Sequence, residues 1–252
     1  MRRPARGPQG FREGKGPDVR QRTTLLGHVS PETWQELRDI GLSDLPLHDP
    51  AFEAHRMFPG PRRLDYAPAV AAYLHAKRRG FETRPVLPGP VSVLASTRQE
   101  GLLESYAELL ERLATAGVAE VQLNEPLPAA PMLASAYTRL GELSHRPRIM
   151  VCMCSGAAGP ALTALGATRV EGVAMDFVTR PGTLAALAAV GGMPGKTVVA
   201  ALVDDTGREV PAAGVRAAVE RLADQVVLAS TCTAARSPQA SAAALVGMVN
   251  RG

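Results

Sequence analysis

The sequence predicts a (β/α)8 barrel. Short apolar runs alternate with helical periods from Thr23 onward, and eight such runs can be counted. Strand-helix alternation with short loops implies a parallel sheet. The length, 252 residues, is near that of one such barrel. Several of the runs also end in residues that carry chemistry, as active-site strands of this fold do at their C-terminal rim.

Taken in order, Thr23-Thr24-Leu25-Leu26-Gly27-His28 reads as a short first strand. Ser30-Pro31-Glu32-Thr33 opens a helix with Ser30 as N-cap and Pro31 at the first position. Trp34, Leu37 and Ile40 form its apolar face. Leu45-Pro46-Leu47-His48-Asp49 is a proline-weakened second strand ending in His-Asp. Residues 50–66 show no period and read as a loop with one short helix at 52–57. A helix over 65–79 follows, with Ala69, Ala72, Tyr73 and Ala76 on one face.

Pro85-Val86-Leu87-Pro88-Gly89-Pro90-Val91-Ser92 reads as a third strand running into a Gly-Pro turn. The helix over 99–116 has Leu102, Leu103, Tyr106, Leu109, Leu110 and Leu113 at i, i+3, i+4 spacing, and Gly117 stops it. Strand 119–126 ends in Asn-Glu-Pro, and helix 132–144 follows. Strands at 148–154, 171–176, 197–203 and 225–231 then alternate with helices at 158–166, 181–190, 211–222 and 238–249.

Composition narrows the class. Apolar residues make up 46%, enough for a large core. No apolar run reaches the roughly 18 residues of a membrane-spanning helix, so no membrane partner is expected. Residues 1–22 are basic and rich in Gly and Pro, without the apolar stretch of a secretory signal, and read as a disordered arm before a barrel over 23–252. The arm holds seven basic residues against two acids, so the surplus behind the +4 net charge is concentrated there. It lacks aromatic interleaving and any reader motif, so nucleic acid is not expected as a partner. Three cysteines in a leaderless chain fit a reducing cytoplasm without disulfides.

The cysteines are the centre of the functional reading. Arg148-Ile149-Met150-Val151-Cys152-Met153-Cys154 is an apolar run ending in two thiols one residue apart. Gly172-Val173-Ala174-Met175-Asp176 ends in a carboxylate, and Gln225-Val226-Val227-Leu228-Ala229-Ser230-Thr231-Cys232 ends in the third thiol. Cys152, Cys154, Asp176 and Cys232 are thus expected on one rim, a donor set suited to tetrahedral zinc. The plainer alternative is that each cysteine is a small buried hydrophobe.

The segments at the strand tips resemble those of the cobalamin-independent methionine synthase family. Arg84-Pro85-Val86-Leu87-Pro88-Gly89-Pro90-Val91 resembles its "KPVK…GPVT" segment, and Gln122-Leu123-Asn124-Glu125-Pro126 its "QIDEP". Cys152-Met153-Cys154-Ser155 is similar to its zinc-binding "HMCYS", with Cys for His. Asp176 stands where the family's acidic ligand is expected, and Ser230-Thr231-Cys232-Thr233 resembles "NPDCG". Thr23 to His28 resembles "TTTIGS", and Leu47-His48-Asp49 resembles "VHGE". The cysteine series makes the zinc-bearing C-terminal barrel of that two-barrel enzyme the nearer likeness.

The resemblance implies zinc-dependent transfer of a methyl group to the thiol of homocysteine or a relative, from a methylfolate or a methylcorrinoid protein. It implies substrate contacts from His28, His48, Asn124 and Glu125. The family's proton-transfer His segment "YDIHSP" falls on Val203-Asp204-Asp205-Thr206-Gly207-Arg208, so Asp204 and Asp205 are the candidate acids there. Asn124 replaces an acid and Asp176 a longer one. A non-catalytic barrel that binds a ligand or partner, or an alkyl transfer on another substrate, is the alternative.

Overall fold

A computed structural model describes residues 21–48, 65–97, 100–126, 129–153, 159–209, 213–232 and 236–251. Residues 1–20 of the expected arm and the short helix at 52–57 lie outside these residues; Arg22, at the arm's end, accepts the Leu228 N–H at 3.0 Å and pairs with Glu120 at 3.5 Å. Eight strands run parallel: β1 (Thr23–Thr24), β2 (Leu45–Leu47), β3 (Thr83–Pro88), β4 (Glu120–Asn124), β5 (Arg148–Met153), β6 (Gly172–Asp176), β7 (Met193–Val203) and β8 (Ala223–Ser230). The hydrogen-bonded order is β1-β8-β7-β6-β5-β4-β3-β2. The seam between β1 and β2 is a single parallel bridge, Thr24 to Asp44. There the Thr24 hydroxyl donates to Asp44 Oδ2 at 3.1 Å, and the Thr23 N–H donates to Ser43 Oγ at 3.1 Å. The molecule is a (β/α)8 barrel, as its sequence pattern predicts.

Among the described residues the α-helices are α1 (Trp34–Ile40), α2 (Ala67–Arg78), α3 (Pro90–Thr97), α4 (Leu102–Ala116), α5 (Ala130–Gly141), α6 (Gly159–Gly166), α7 (Thr183–Ala189), α8 (Ala213–Glu220) and α9 (Pro238–Asn250). Their apolar faces bury against the outside of the sheet. In α4 the buried positions are Leu102, Ser105, Tyr106, Leu109, Leu110 and Leu113, the stripe read from the sequence except that Ser105 joins it and Leu103 is only partly buried. Gly117 ends that helix with φ of 92°, a left-handed conformation that side chains resist.

Three local expectations are corrected. Residues 31–33 form a 3-10 turn in which Ser30 makes no side-chain cap; instead the Thr33 hydroxyl donates to the Ser30 carbonyl at 2.7 Å. Strand β7 begins at Met193, earlier than 197. Pro90 and Ser92 belong to helix α3, not to a turn leaving β3. Pro90 suits a first helical position, where no N–H is needed, but the group that holds this helix start comes from elsewhere in the chain.

Side chains alternate between the helix layer and the barrel interior. The register places Asn124 beside Cys152, Cys152 beside Ala174, and Ala174 beside Val199. Two residues on, Asp176 sits beside Ala201, and Ala201 beside Ala229. Leu26, Met150, Cys152, Ala174, Val199, Ala201, Val227 and Ala229 pack as the inner cluster, separate from the larger core under the helices. The lower interior is polar. Arg84, 2% exposed, forms an ion pair with Asp44 and donates to Thr24 Oγ1 at 2.9 Å, the Leu25 carbonyl at 3.0 Å and Gln122 Oε1 at 3.0 Å.

Candidate functional site

All the described residues singled out above lie at the C-terminal ends of strands, so they share one rim. Cys152 is near the end of β5, and Cys232 follows the end of β8. Their sulfurs are 3.0 Å apart. Cys152 is fully buried and Cys232 is half-buried against the inner cluster. Alanines at 174, 201 and 229 line the same inner cluster, which leaves room between the walls that larger inward side chains would fill. Cys154 lies outside the described residues.

Asp176 closes β6, and both its oxygens serve the turn that follows. Oδ1 accepts the N–H groups of Val178 and Thr179 at 2.8 and 2.9 Å, and Oδ2 accepts the Thr179 hydroxyl at 2.6 Å. Among the described residues no group of three or more His, Cys, Asp or Glu side chains is arranged to hold a metal. The structure therefore brings two of the four expected ligands together, and it places Asp176 on its own turn.

The rings of His28 and His48 meet at the rim with centroids 5.3 Å apart and planes tilted by 50°. His28 is exposed. His48 is mostly covered, and its Nε2 is buried with no hydrogen-bond partner among the described residues. Burial first, then the neighbouring His28, pulls the His48 imidazole down to about 4, against the pull of the Gly27 and Leu26 backbone. It is neutral at physiological pH. Asn124 Oδ1 accepts from Gln122 Nε2 at 2.7 Å, which ties this rim side chain to the Arg84 network below.

Glu125 is turned away from the solvent and is fully buried. Its carboxylate accepts the N–H groups of Val91 and Ser92 at 2.9 and 2.7 Å, the Ser92 hydroxyl at 2.6 Å and the Tyr137 hydroxyl at 2.7 Å. It thus caps helix α3 from 34 residues away. Burial raises its pKa, while the donors of Ser92, Tyr137 and Val91 pull the other way. A Cβ at Gly89 would overlap this carboxylate, so the close approach of β3 to β4 needs glycine there.

Of the two acids after β7, one serves a turn and the other an ion pair. Asp204 Oδ1 accepts from the Thr206 N–H and hydroxyl and from the Arg208 N–H, at 2.7 to 2.9 Å. Partial burial opposes ionisation of Asp204, but the contacts with Thr206 and Arg208 hold its pKa below the usual value. Asp205 pairs with Arg236 at 2.7 Å. Reasoning from sequence missed the inward cation Arg84 and the cap partners Ser92 and Tyr137. A lone Arg inside an apolar strand run was the available signal for the first; nothing local marked the other two.

The sequence profile described as "Cobalamin-independent synthase, N-terminal domain" matches residues 60–228. The chain belongs to the cobalamin-independent methionine synthase family. The matching profile is that of the N-terminal domain, whereas the cysteine series had drawn the likeness toward the C-terminal barrel. Curated relatives include the 5-methyltetrahydropteroyltriglutamate–homocysteine methyltransferases of Mycolicibacterium paratuberculosis, 37% identical over 65% of this chain and 24% of the relative, and of Streptomyces avermitilis, 36% identical over 71% of this chain and 27% of the relative. The chain thus spans about a quarter of the length of these family members.

Solved structures with the same fold include a methyltransferase from Methanosarcina mazei, at 15% identity and a TM-score of 0.64, covering 93% of this chain and 95% of that one. An O-GlcNAc hydrolase mutant from Thermobaculum terrenum follows the same barrel at 13% identity and a TM-score of 0.56, over 92% of this chain and 59% of that one. These likenesses concern the fold alone. No helix among the described residues of this family member is long and apolar enough to cross a membrane.

Proposed function

We propose that this chain is a zinc-dependent methyltransferase that moves a methyl group to a thiol such as that of homocysteine. The observation that carries the reading is the meeting of Cys152 and Cys232 at the C-terminal mouth of the barrel. Membership of the family supports it, and so does the activity in the names of the curated relatives. Those names also favour a methylated folate as donor; a methylcorrinoid protein has no support in a family described as cobalamin-independent.

The donor chemistry fits zinc in part. Cys152, Cys154 and Cys232 would hold the metal, and Asp176 completes the set only by giving up its contacts to Thr179. Zinc, when bound, keeps a coordinated thiol deprotonated. The chain's own residues do the rest. In this reading the unpartnered Nε2 of neutral His48 meets a polar group of the substrate, with His28 beside it at the mouth. Asn124, its carbonyl taken by Gln122, offers its amide N–H groups to a substrate carboxylate. Glu125 positions this wall through α3. Asp204 and Asp205 are the acids at the end of β7 that stand nearest to a proton-transfer role, each after releasing its turn or ion-pair partner.

A second reading has its own observation. Glu125, Asp176, Asp204 and Asp205 all spend their carboxylates on structure, as a non-catalytic barrel that binds a ligand or partner would allow. Metal analysis of freshly purified, reduced protein separates the two. About one zinc per chain, lost in Cys154→Ser and in Cys232→Ser, followed by methylation of homocysteine from a methylated folate, is the expected result. Absence of bound zinc with all three thiols alkylatable would overturn the metalloenzyme reading and favour the binding barrel.

A further inference from the structure

We propose that Cys152 and Cys232 are a disulfide-forming pair, a modification site set across the mouth of the barrel. The two sulfurs approach to 3.0 Å although the residues are 80 positions apart and belong to different walls. A sulfur–sulfur bond is about 2.05 Å long, so closure requires movement of the order of 1 Å. The alanines at 174, 201 and 229 in the same inner cluster present no bulky side chain to oppose that movement. The two partners also differ in access. Cys232 is half-buried, while Cys152 is fully buried. An oxidant therefore meets Cys232 first, and the buried thiol resolves the adduct.

The chemistry is thiol–disulfide exchange with a low-molecular-weight disulfide as oxidant. The Cys232 thiolate attacks one sulfur of the reagent, whose S–S bond breaks, and one reagent thiolate leaves and takes up the proton that Cys232 lost. Cys152, deprotonated in turn, attacks the Cys232 sulfur of the mixed disulfide and expels the second reagent thiol with that proton. Two protein thiols are oxidised to one disulfide, and one reagent disulfide is reduced to two thiols. The closed pair is withdrawn from any metal, and reduction restores it. The thiol at position 152, where the family motif resembled above has His, is what makes the pair possible.

The test uses the full chain, stripped of metal and treated with glutathione disulfide, then alkylated and weighed. It reads mass alone, so its outcome is independent of whether the chain transfers methyl groups. In Cys154→Ser the expected product has lost the mass of two hydrogens, takes no alkylating agent, carries no glutathione and regains both thiols on reduction. Wild-type protein should keep one alkylatable thiol, at Cys154. Stable glutathione on Cys232 without closure, or a Cys152–Cys154 bond in the wild type, would overturn the proposal. So would two unreacted thiols in Cys154→Ser. Circular dichroism and near-wild-type thermal unfolding of Cys154→Ser confirm that the folded state is being tested.

Discussion

The Glu125 carboxylate accepts both the backbone N–H and the hydroxyl of Ser92, at 2.7 and 2.6 Å. One side chain after β4 thereby holds the first turn of a helix that follows β3. Buried donors left without a partner cost about 1–3 kcal/mol each. Glu125→Ala is therefore expected to lower stability in urea denaturation by at least about 2 kcal/mol. The amides of Val91 and Ser92 should lose hydrogen-exchange protection while those of α4 keep theirs.

The same carboxyl predicts a pH effect of definite sign. Burial raises its pKa in the folded protein above the ordinary 4.5. The native state then holds the proton to a higher pH than the unfolded chain, so this group's contribution to stability falls as pH rises from 4.5 toward the folded value. The difference in unfolding free energy between wild type and Glu125→Gln, followed through that window, isolates the slope. A flat difference would show that the donors of Ser92 and Tyr137 cancel the effect of burial, and a reversed slope that they outweigh it.

Gly89→Ala should be costly for a side chain of one carbon. Its Cβ overlaps the Glu125 carboxylate, and overpacking a filled interior costs about 1–3 kcal/mol. Combining it with Glu125→Ala should recover part of that loss, because the clash is then gone. Strictly additive losses in chemical denaturation would contradict the contact.

His48 gives a slope of the opposite sign. Its pKa falls from 6.5 to about 4 on folding. The unfolded chain binds the extra proton first, so stability is full above 6.5 and is lost as pH drops toward about 4, by at most about 3 kcal/mol. His48→Gln should remove this dependence. Unfolding curves at pH 7 and pH 4.5 for both proteins measure it.

The Arg84–Asp44 ion pair lies where β1, β2 and β3 meet at the seam of the barrel. Burial first lowers the Arg84 pKa, to about 10, with Glu120 pulling it back up, so the side chain remains a cation. Arg84→Met leaves Asp44 with only the Thr24 hydroxyl at 3.1 Å and Arg22 at 3.9 Å, and should cost up to about 3–5 kcal/mol. The double variant Arg84→Met/Asp44→Asn should be more stable than the single one in thermal unfolding.

The sequence by itself determined the barrel and the rim. Periodicity is a local property, and the stripe through Leu102, Tyr106, Leu109 and Leu113 or the apolar run into Cys152 reports burial directly. Parallel strands also put every C-terminal tip on one face, so His48, Asn124, Asp176 and Cys232 could be assigned to a common rim without coordinates. Which of those side chains face one another depends on register, distance and competing partners, and these are long-range. Only the tertiary structure joined Cys152 to Cys232 across 80 residues, turned Glu125 from the mouth into the cap of α3, and spent Asp176 on Thr179. A buried carboxylate takes whichever donors the fold brings within reach, because leaving it unpaired is expensive, and those donors are not neighbours in sequence.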